Sequence, residues 1–401
     1  MSLLQNLILL LISAHLLGRL ATLLGQPELV GHILAGTLLG PAVLGRVMPS
    51  DNLNVCADLA VLIIVMVAGL EVQLKTITRL FTGWGVLALL PGFLLPVAAG
   101  LLLGLLFGYE VTTAIVIALC IAVTALPVAL RILASFGLQN TQLAQLTIAG
   151  ALSTDIVVLL ALGALTSIGD GTQYSIPHLI GYSGIKLLAL VALVACSSWL
   201  YRRVYPRLTQ QNGRSTPVET SFALALILSL AAAADALSLH FAIGAFLGAL
   251  IVSESQNAKI DSEASCSHPL RLKLEGACNL FFAPFFLAYQ GTHLTSNSLN
   301  QPAFALALIL VAIATKLTGG YWGARIYGLS AYEARGTAIV MNARGLMEMV
   351  VATIAFRAGL VDRNLFSTLL VVGMFTTLLT PILLRRWQKQ PPTGVTLPTT
   401  E

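Results

Sequence analysis

Four ionisable side chains lie in sequence that is otherwise apolar. Asp155 sits in ALSTDIVVLL (151–160), Lys316 in ALILVAIATKLTGGYWG (307–323), and Arg344 and Glu348 share MNARGLMEMVV (341–351). A charge at the centre of a bilayer costs about 2.5–3.5 kcal/mol on insertion scales, so such groups usually mark the path of an ion or a proton. A carboxylate can hold a proton or a desolvated Na⁺ or K⁺ at the same oxygens. Burial disfavours the bare anion, which brings the two cargoes into competition near neutral pH. Competition for one site is by itself an exchange mechanism, and one titrating aspartate predicts one proton per cation with no net charge moved. A Lys316 that lost its proton on cation binding would supply a second. The alternative for Asp155 is a structural ion pair or a permanently protonated packing residue.

Hard alkali cations take several oxygen ligands, so Asp155 needs help. Ser153 and Thr154 offer hydroxyls beside it, Thr124 another, and the unwound backbone near Thr124 to Leu126 can add carbonyls, although such hydroxyls in membrane helices often bond only to the preceding turn. Arg344 and Glu348 are four residues apart and share a helix face. They either neutralise each other or also compensate the dipole ends of interrupted helices. Lys316 lies deep in its run, and its alternative is to snorkel to an interface.

The elements that must position these groups are membrane spans. Of 401 residues 57% are hydrophobic and 10% charged, and the mean hydropathy is +0.88, whereas soluble proteins carry about a quarter charged residues. The pattern gives an all-α, multi-pass membrane protein of about thirteen segments: 3–24, 28–45, 54–74, 81–108, 111–136, 140–167, 177–203, 217–235, 238–254, 270–290, 302–328, 331–357 and 363–386. The first segment has no basic residue before Arg19 and runs into further apolar sequence, which reads as a retained helix. With the N-terminus outside, the inner loops and C-terminal tail collect Lys75, Arg79, Arg202, Arg203, Arg207, Arg214, Lys259, Arg271, Lys273, Arg325, Arg335, Arg385, Arg386 and Lys389, while the outer loops hold only Arg46, Arg357 and Arg363. The net charge of +5 therefore reports orientation in a plasma or bacterial inner membrane and not nucleic-acid binding. The sequence divides into a single transmembrane domain, 1–390, and a short cytoplasmic tail, 391–401.

Two spans are interrupted. Pro127 in AVTALPVALRIL (122–133) predicts unwinding around Thr124 to Leu126, and Asn342, Arg344, Gly345 and Glu348 interrupt the span at 331–357. The two lie seven segments apart, so they cross in opposite senses, as inverted repeats around a midplane binding site require. The core helices on this reading fall around 111–167 and 302–357. Cys56, Cys120, Cys196, Cys266 and Cys278 are scattered with no metal-ligand spacing and read as packing residues. No Walker, HExxH or nucleophile-elbow motif appears, so nothing in the sequence points to ATP use, covalent catalysis or a cofactor. His32 reads as a helix-packing histidine, Glu71 and Arg131 as interfacial anchors, and Asp235 as a solvated residue at an outer helix end. The spacings Gly36-TLL-Gly40 and Gly244-AFL-Gly248 read as packing.

Nine stretches, in order, resemble the monovalent cation:proton antiporter-2 family: LGQPELVGHILAGTLLGPAVLG (24–45), VMVAGLEVQLK (65–75), AVTALPVALRILASFG (122–137), GALSTDIVVLL (150–160), FAIGAFLGALIVSES (241–255), FFAPFFLAYQGTHL (281–294), KLTGGYWGAR (316–325), MNARGLMEMVVATIA (341–355) and LLTPILLRRW (378–387). The resemblance implies Na⁺/H⁺ or K⁺/H⁺ exchange by a homodimer, each protomer an inverted repeat with two crossed, partly unwound helices. A core domain then moves against a dimerisation domain. It also implies that Lys316 pairs with Asp155 when no cation is bound and lets go when one arrives; Arg344, Glu348 and Pro127 read, from their own positions, as supports of the helix crossing. The chain departs from the family pattern in three ways. Thr154 precedes Asp155 where many members carry Asn, Asp or Gln, and His32 stands where many carry glutamate. The regulatory nucleotide-binding domain of some members has no counterpart before residue 401. A channel-like or regulatory protein on the same fold is the competing expectation.

Overall fold

The computed structural model describes residues 2–71, 85–138, 141–168, 189, 192–204, 217–237, 240–257, 269–294 and 301–388. Among these the structure is helical, with no strand. The elements are α1 (Leu3–Leu23), α2 (Glu28–Leu39), α3 (Asp51–Glu71), α4 (Gly85–Leu106), α5 (Val111–Ala122), α6 (Leu126–Ser135), α7 (Gln142–Ile168), α8 (Pro217–Ala236), α9 (Phe241–Asn257), α10 (Pro269–Ala277), α11 (Ala283–Gly291), α12 (Pro302–Ile326), α13 (Ala331–Met341), α14 (Leu346–Arg357) and α15 (Arg363–Gln388). Seven are long and apolar enough to cross a membrane, or eight spans when the bent pair α13 and α14 is taken as one. The protein is a multi-pass integral membrane protein. The thirteenfold count is not reproduced as such: α2, α5 and α9 are short apolar helices, and the expected segment 177–203 and the two long loops fall largely outside the described residues.

The chain forms two compact units, one of residues 1–54, 75–158 and 284–401 and the other of 55–74 and 159–283. The first carries every candidate site residue. Its helices approach through glycines: a Cβ built on Gly36 would lie 1.6 Å from the Ala288 carbonyl oxygen, and one on Gly319 or Gly323 would lie 2.3 Å from Pro91 O or 2.1 Å from Ala88 O. These positions must be glycine for α2 to meet α11 and for α12 to meet α4. In the second unit, Gly244 and Gly248 of α9 play the same part against Leu230 and Ile227 of α8.

Both expected interruptions are present. The first runs over Val123–Ala125 between α5 and α6, one residue earlier than the proline suggested. Val123 is extended at φ −61°, ψ 143°. Pro127 is the second residue of α6, where its missing N–H costs nothing because the first-turn donors of a helix have no internal partner. It opens the second half-helix and does not break a continuous one; its side chain, like those of Glu71 and Arg131, lies outside the described residues. The second interruption spans Asn342 to Gly345, and the axis turns by 41° there. Gly345 makes the turn at φ 152°, a region that side chains rarely enter. His32 is buried with its ring 6.3 Å from that of His15, and Asp235 is exposed at its helix end. Cys120 and Cys278 are buried as packing residues should be, whereas Cys196 is exposed.

Candidate ion-binding site

The two breaks meet each other. The Ala125 amide donates to the Ala343 carbonyl at 3.1 Å, and the Thr124 hydroxyl donates to the Met341 carbonyl at 3.2 Å. An interrupted helix ends in carbonyls with no internal donor, and in apolar surroundings each must find one. At the carboxyl end of α5 the donors are side-chain cations. Arg344 donates to Cys120 O at 3.1 Å and to Ile121 O, and Lys316 donates to Ala122 O. Both cations are wholly buried. They satisfy the orphaned carbonyls and at the same time compensate the negative end of the α5 dipole.

Glu348 stands in the first turn of α14, at the positive end of that half-helix, and pairs with Arg344 at 3.4 Å. Its other carboxylate oxygen has no hydrogen-bond partner among the described residues and faces Gly373 of α15, where a Cβ would come within 2.8 Å. Thr377, one turn along α15, donates to the Arg344 carbonyl at 2.8 Å, and Asn342 reaches the Thr380 hydroxyl at 3.5 Å. The second break is thus tied to α15 as well as to the first break.

Lys316 sits on a small oxygen cluster. Besides Ala122 O, its ammonium donates to the Thr124 hydroxyl at 2.8 Å and to the Gly92 carbonyl of α4 at 3.3 Å. Asp155, itself 2% exposed, acts on the ammonium electrostatically, as do Arg344 and Glu348. The structure therefore brings Asp155, Thr124, Lys316, Arg344 and Glu348 into one buried electrostatic group. Thr154 is buried next to Asp155 but directs its hydroxyl proton to Ala151 O at 2.8 Å, and the half-buried Ser153 bonds Ala149 O at 2.8 Å. Both hydroxyl oxygens keep lone pairs, but neither proton is free. Snorkelling is not what Lys316 does, since its ammonium is held inside the protein.

The sequence reading missed two members of this group, the main-chain oxygens of Gly92 and Ala122. The Ala122 carbonyl follows from the break once its position is known, and the only trace of the other is a proline four residues after Gly92. Outside the expected membrane segments, burial together with Arg363 pushes His293 down to about 4. No group of three or more metal-binding side chains is found among the described residues.

Comparison with known proteins gives a consistent result. The family model described as "Sodium/hydrogen exchanger, transmembrane" matches residues 8–389. The chain is 28% identical over 386 residues to the Na(+)/H(+)-K(+) antiporter GerN of Bacillus cereus, covering 94% of each. It is 28% identical over 370 residues to the Na(+)/H(+) antiporter of Enterococcus hirae, covering 91% of this chain and 93% of the other. The solved structure of the sodium proton antiporter MjNhaP1 from Methanocaldococcus jannaschii shares the fold, with a TM-score of 0.70 over 97% of this chain and 98% of that one at 16% identity.

Proposed function

Because the chain belongs to the sodium/hydrogen exchanger family, we propose that it is a secondary-active antiporter that exchanges Na⁺ or K⁺ for H⁺ at Asp155 under alternating access. It is a transporter and not an enzyme, and its relatives are Na⁺/H⁺ and K⁺/H⁺ antiporters. The observation that carries the reading is the Lys316 ammonium, a monovalent cation held by Gly92 O, Ala122 O and Thr124 Oγ1 in the field of Asp155. An arriving alkali ion finds the same oxygens and the same carboxylate, and displaces the ammonium to use them. A proton on Asp155 removes the negative charge and so favours the empty state. Binding of cation and proton is mutually exclusive, which couples their opposite movement. Helices around 111–167 and 302–357 form the ion-carrying core, the rest serves as scaffold and as the face of a homodimer, and the N-terminus lies outside with the C-terminus in the cytoplasm.

The test is a pulse of Na⁺ or K⁺ on acid-loaded proteoliposomes carrying a pH dye. Exchange predicts prompt alkalinisation of the lumen that persists when the membrane potential is clamped. Cation entry with no proton movement would instead mean a channel on this fold.

Lys316→Ala tests the competition. Without the ammonium, Asp155 loses a neighbouring positive charge, and proton and cation must balance the carboxylate without it. The activity profile should move to alkaline pH by about one unit, and the melting temperature in detergent should fall because three buried oxygens lose a donor. A variant matching wild type in both profile and melting temperature would mean that the lysine takes no part.

A further inference from the structure

A helix carbonyl ordinarily accepts from the N–H four residues on. In α4 the residue four after Gly92 is Pro96, which has no N–H, so the Gly92 carbonyl loses its helical donor in the middle of an apolar span. A buried carbonyl without a donor is costly and must be satisfied from elsewhere. The donor is Lys316, at 3.3 Å. The approach is built into the packing: Gly319 and Gly323 let α12 lie against Pro91 and Ala88 of α4, and a Cβ on Gly92 itself would lie 2.9 Å from the Met341 methyl carbon. Pro91, the other proline inside α4, frees the Leu87 carbonyl in the same way, but the Lys316 ammonium bonds to Gly92 and not to Leu87.

We propose that the Gly92 carbonyl, released by Pro96, is a ligand of the transported cation, so that α4 contributes to the site alongside the two interrupted spans. This rests on the exchange reading above. The ammonium is held by two main-chain carbonyls and one hydroxyl, the oxygen types that replace the hydration shell of an alkali ion. When Lys316 yields, the cation inherits all three, and Gly92 O is the one ligand of these that belongs to neither break. Pro96 is then a positioning residue: it touches no ion, and it keeps the carbonyl free.

Pro96→Ala returns an N–H to position 96 and reclaims the carbonyl for the helix. In proteoliposomes of the full-length protein, with Na⁺ and K⁺ titrated at fixed pH, the half-saturating concentration should rise about five- to tenfold while the maximal rate stays close to wild type. Pro91→Ala should leave the half-saturating concentration unchanged. If Pro96→Ala is not recovered folded, Pro96→Gly supplies the same N–H and carries the same expectation. Wild-type cation dependence in a folded Pro96 variant would overturn the assignment, and so would an equal loss in Pro91→Ala, which would point to helix curvature and not to one oxygen. Asp155→Asn is measured alongside. If it still exchanges, the exchange mechanism itself fails; if it is inactive while the Pro96 variant keeps wild-type cation dependence, only the Gly92 ligand falls.

Discussion

Asp155→Asn should reduce cation-driven proton movement in proteoliposomes to that of protein-free vesicles. Asparagine keeps the shape of the side chain but can neither take up a proton near neutral pH nor offset the charge of a bound cation. Both cargoes lose their shared group at once, which is why the effect is loss and not a shift. The fold should survive, because a neutral amide costs less in a buried, apolar setting than the carboxylate it replaces. The variant is therefore expected to elute from size exclusion as wild type does. Exchange at wild-type rates in Asp155→Asn would place the shared group elsewhere.

Arg344→Ala should be the most damaging substitution for stability. The guanidinium is wholly buried, holds the carbonyls of Cys120 and Ile121 at the end of α5, and neutralises the equally buried Glu348. Removing one partner of a buried pair typically costs about 3–5 kcal/mol, a large share of the marginal stability of a folded protein. Two carbonyls at the break are orphaned in addition. Thermal unfolding in detergent should show a large drop, or the variant should fail to accumulate. Glu348→Gln in the Arg344→Ala background should recover part of the loss, because it removes the acid left uncompensated. Arg344→Lys should recover little, since a single ammonium cannot reproduce the planar fork that serves two carbonyls and a carboxylate. An Arg344→Ala protein melting like wild type would mean that the break is held by its main-chain bonds alone.

Much of this arrangement is legible in the sequence because charged residues in apolar spans are conspicuous. Asp155, Lys316, Arg344 and Glu348 stand out by their surroundings, and the two interruptions announce themselves through Pro127 and through the polar run from Asn342 to Glu348. What could not be read is where each cation points. Lys316 lies far from the breaks in sequence, and its partners are mostly main-chain oxygens, which carry no residue signature. Gly92 is the extreme case, a residue without a side chain whose carbonyl matters only because Pro96 fails to bond it and because glycines on α12 let a lysine reach it. The hydroxyls of Ser153 and Thr154 were legible as oxygen donors, but the structure gives both a partner in their own helix. Hydropathy likewise marks a run as apolar without saying whether it forms one long helix or two short ones, and among the described residues the expected segments appear as seven long apolar helices, one bent pair and three shorter apolar helices.

If cation and proton compete for one group, cation binding must release a proton. Purified protein in weakly buffered detergent solution at mildly alkaline pH is titrated with NaCl or KCl against a choline chloride control while the free proton concentration is followed. The expected result is a saturable release approaching one proton for each cation bound, diminishing as the starting pH rises and absent in Asp155→Asn. Saturable cation binding with no proton release, or equal release from wild type and Asp155→Asn, would contradict it.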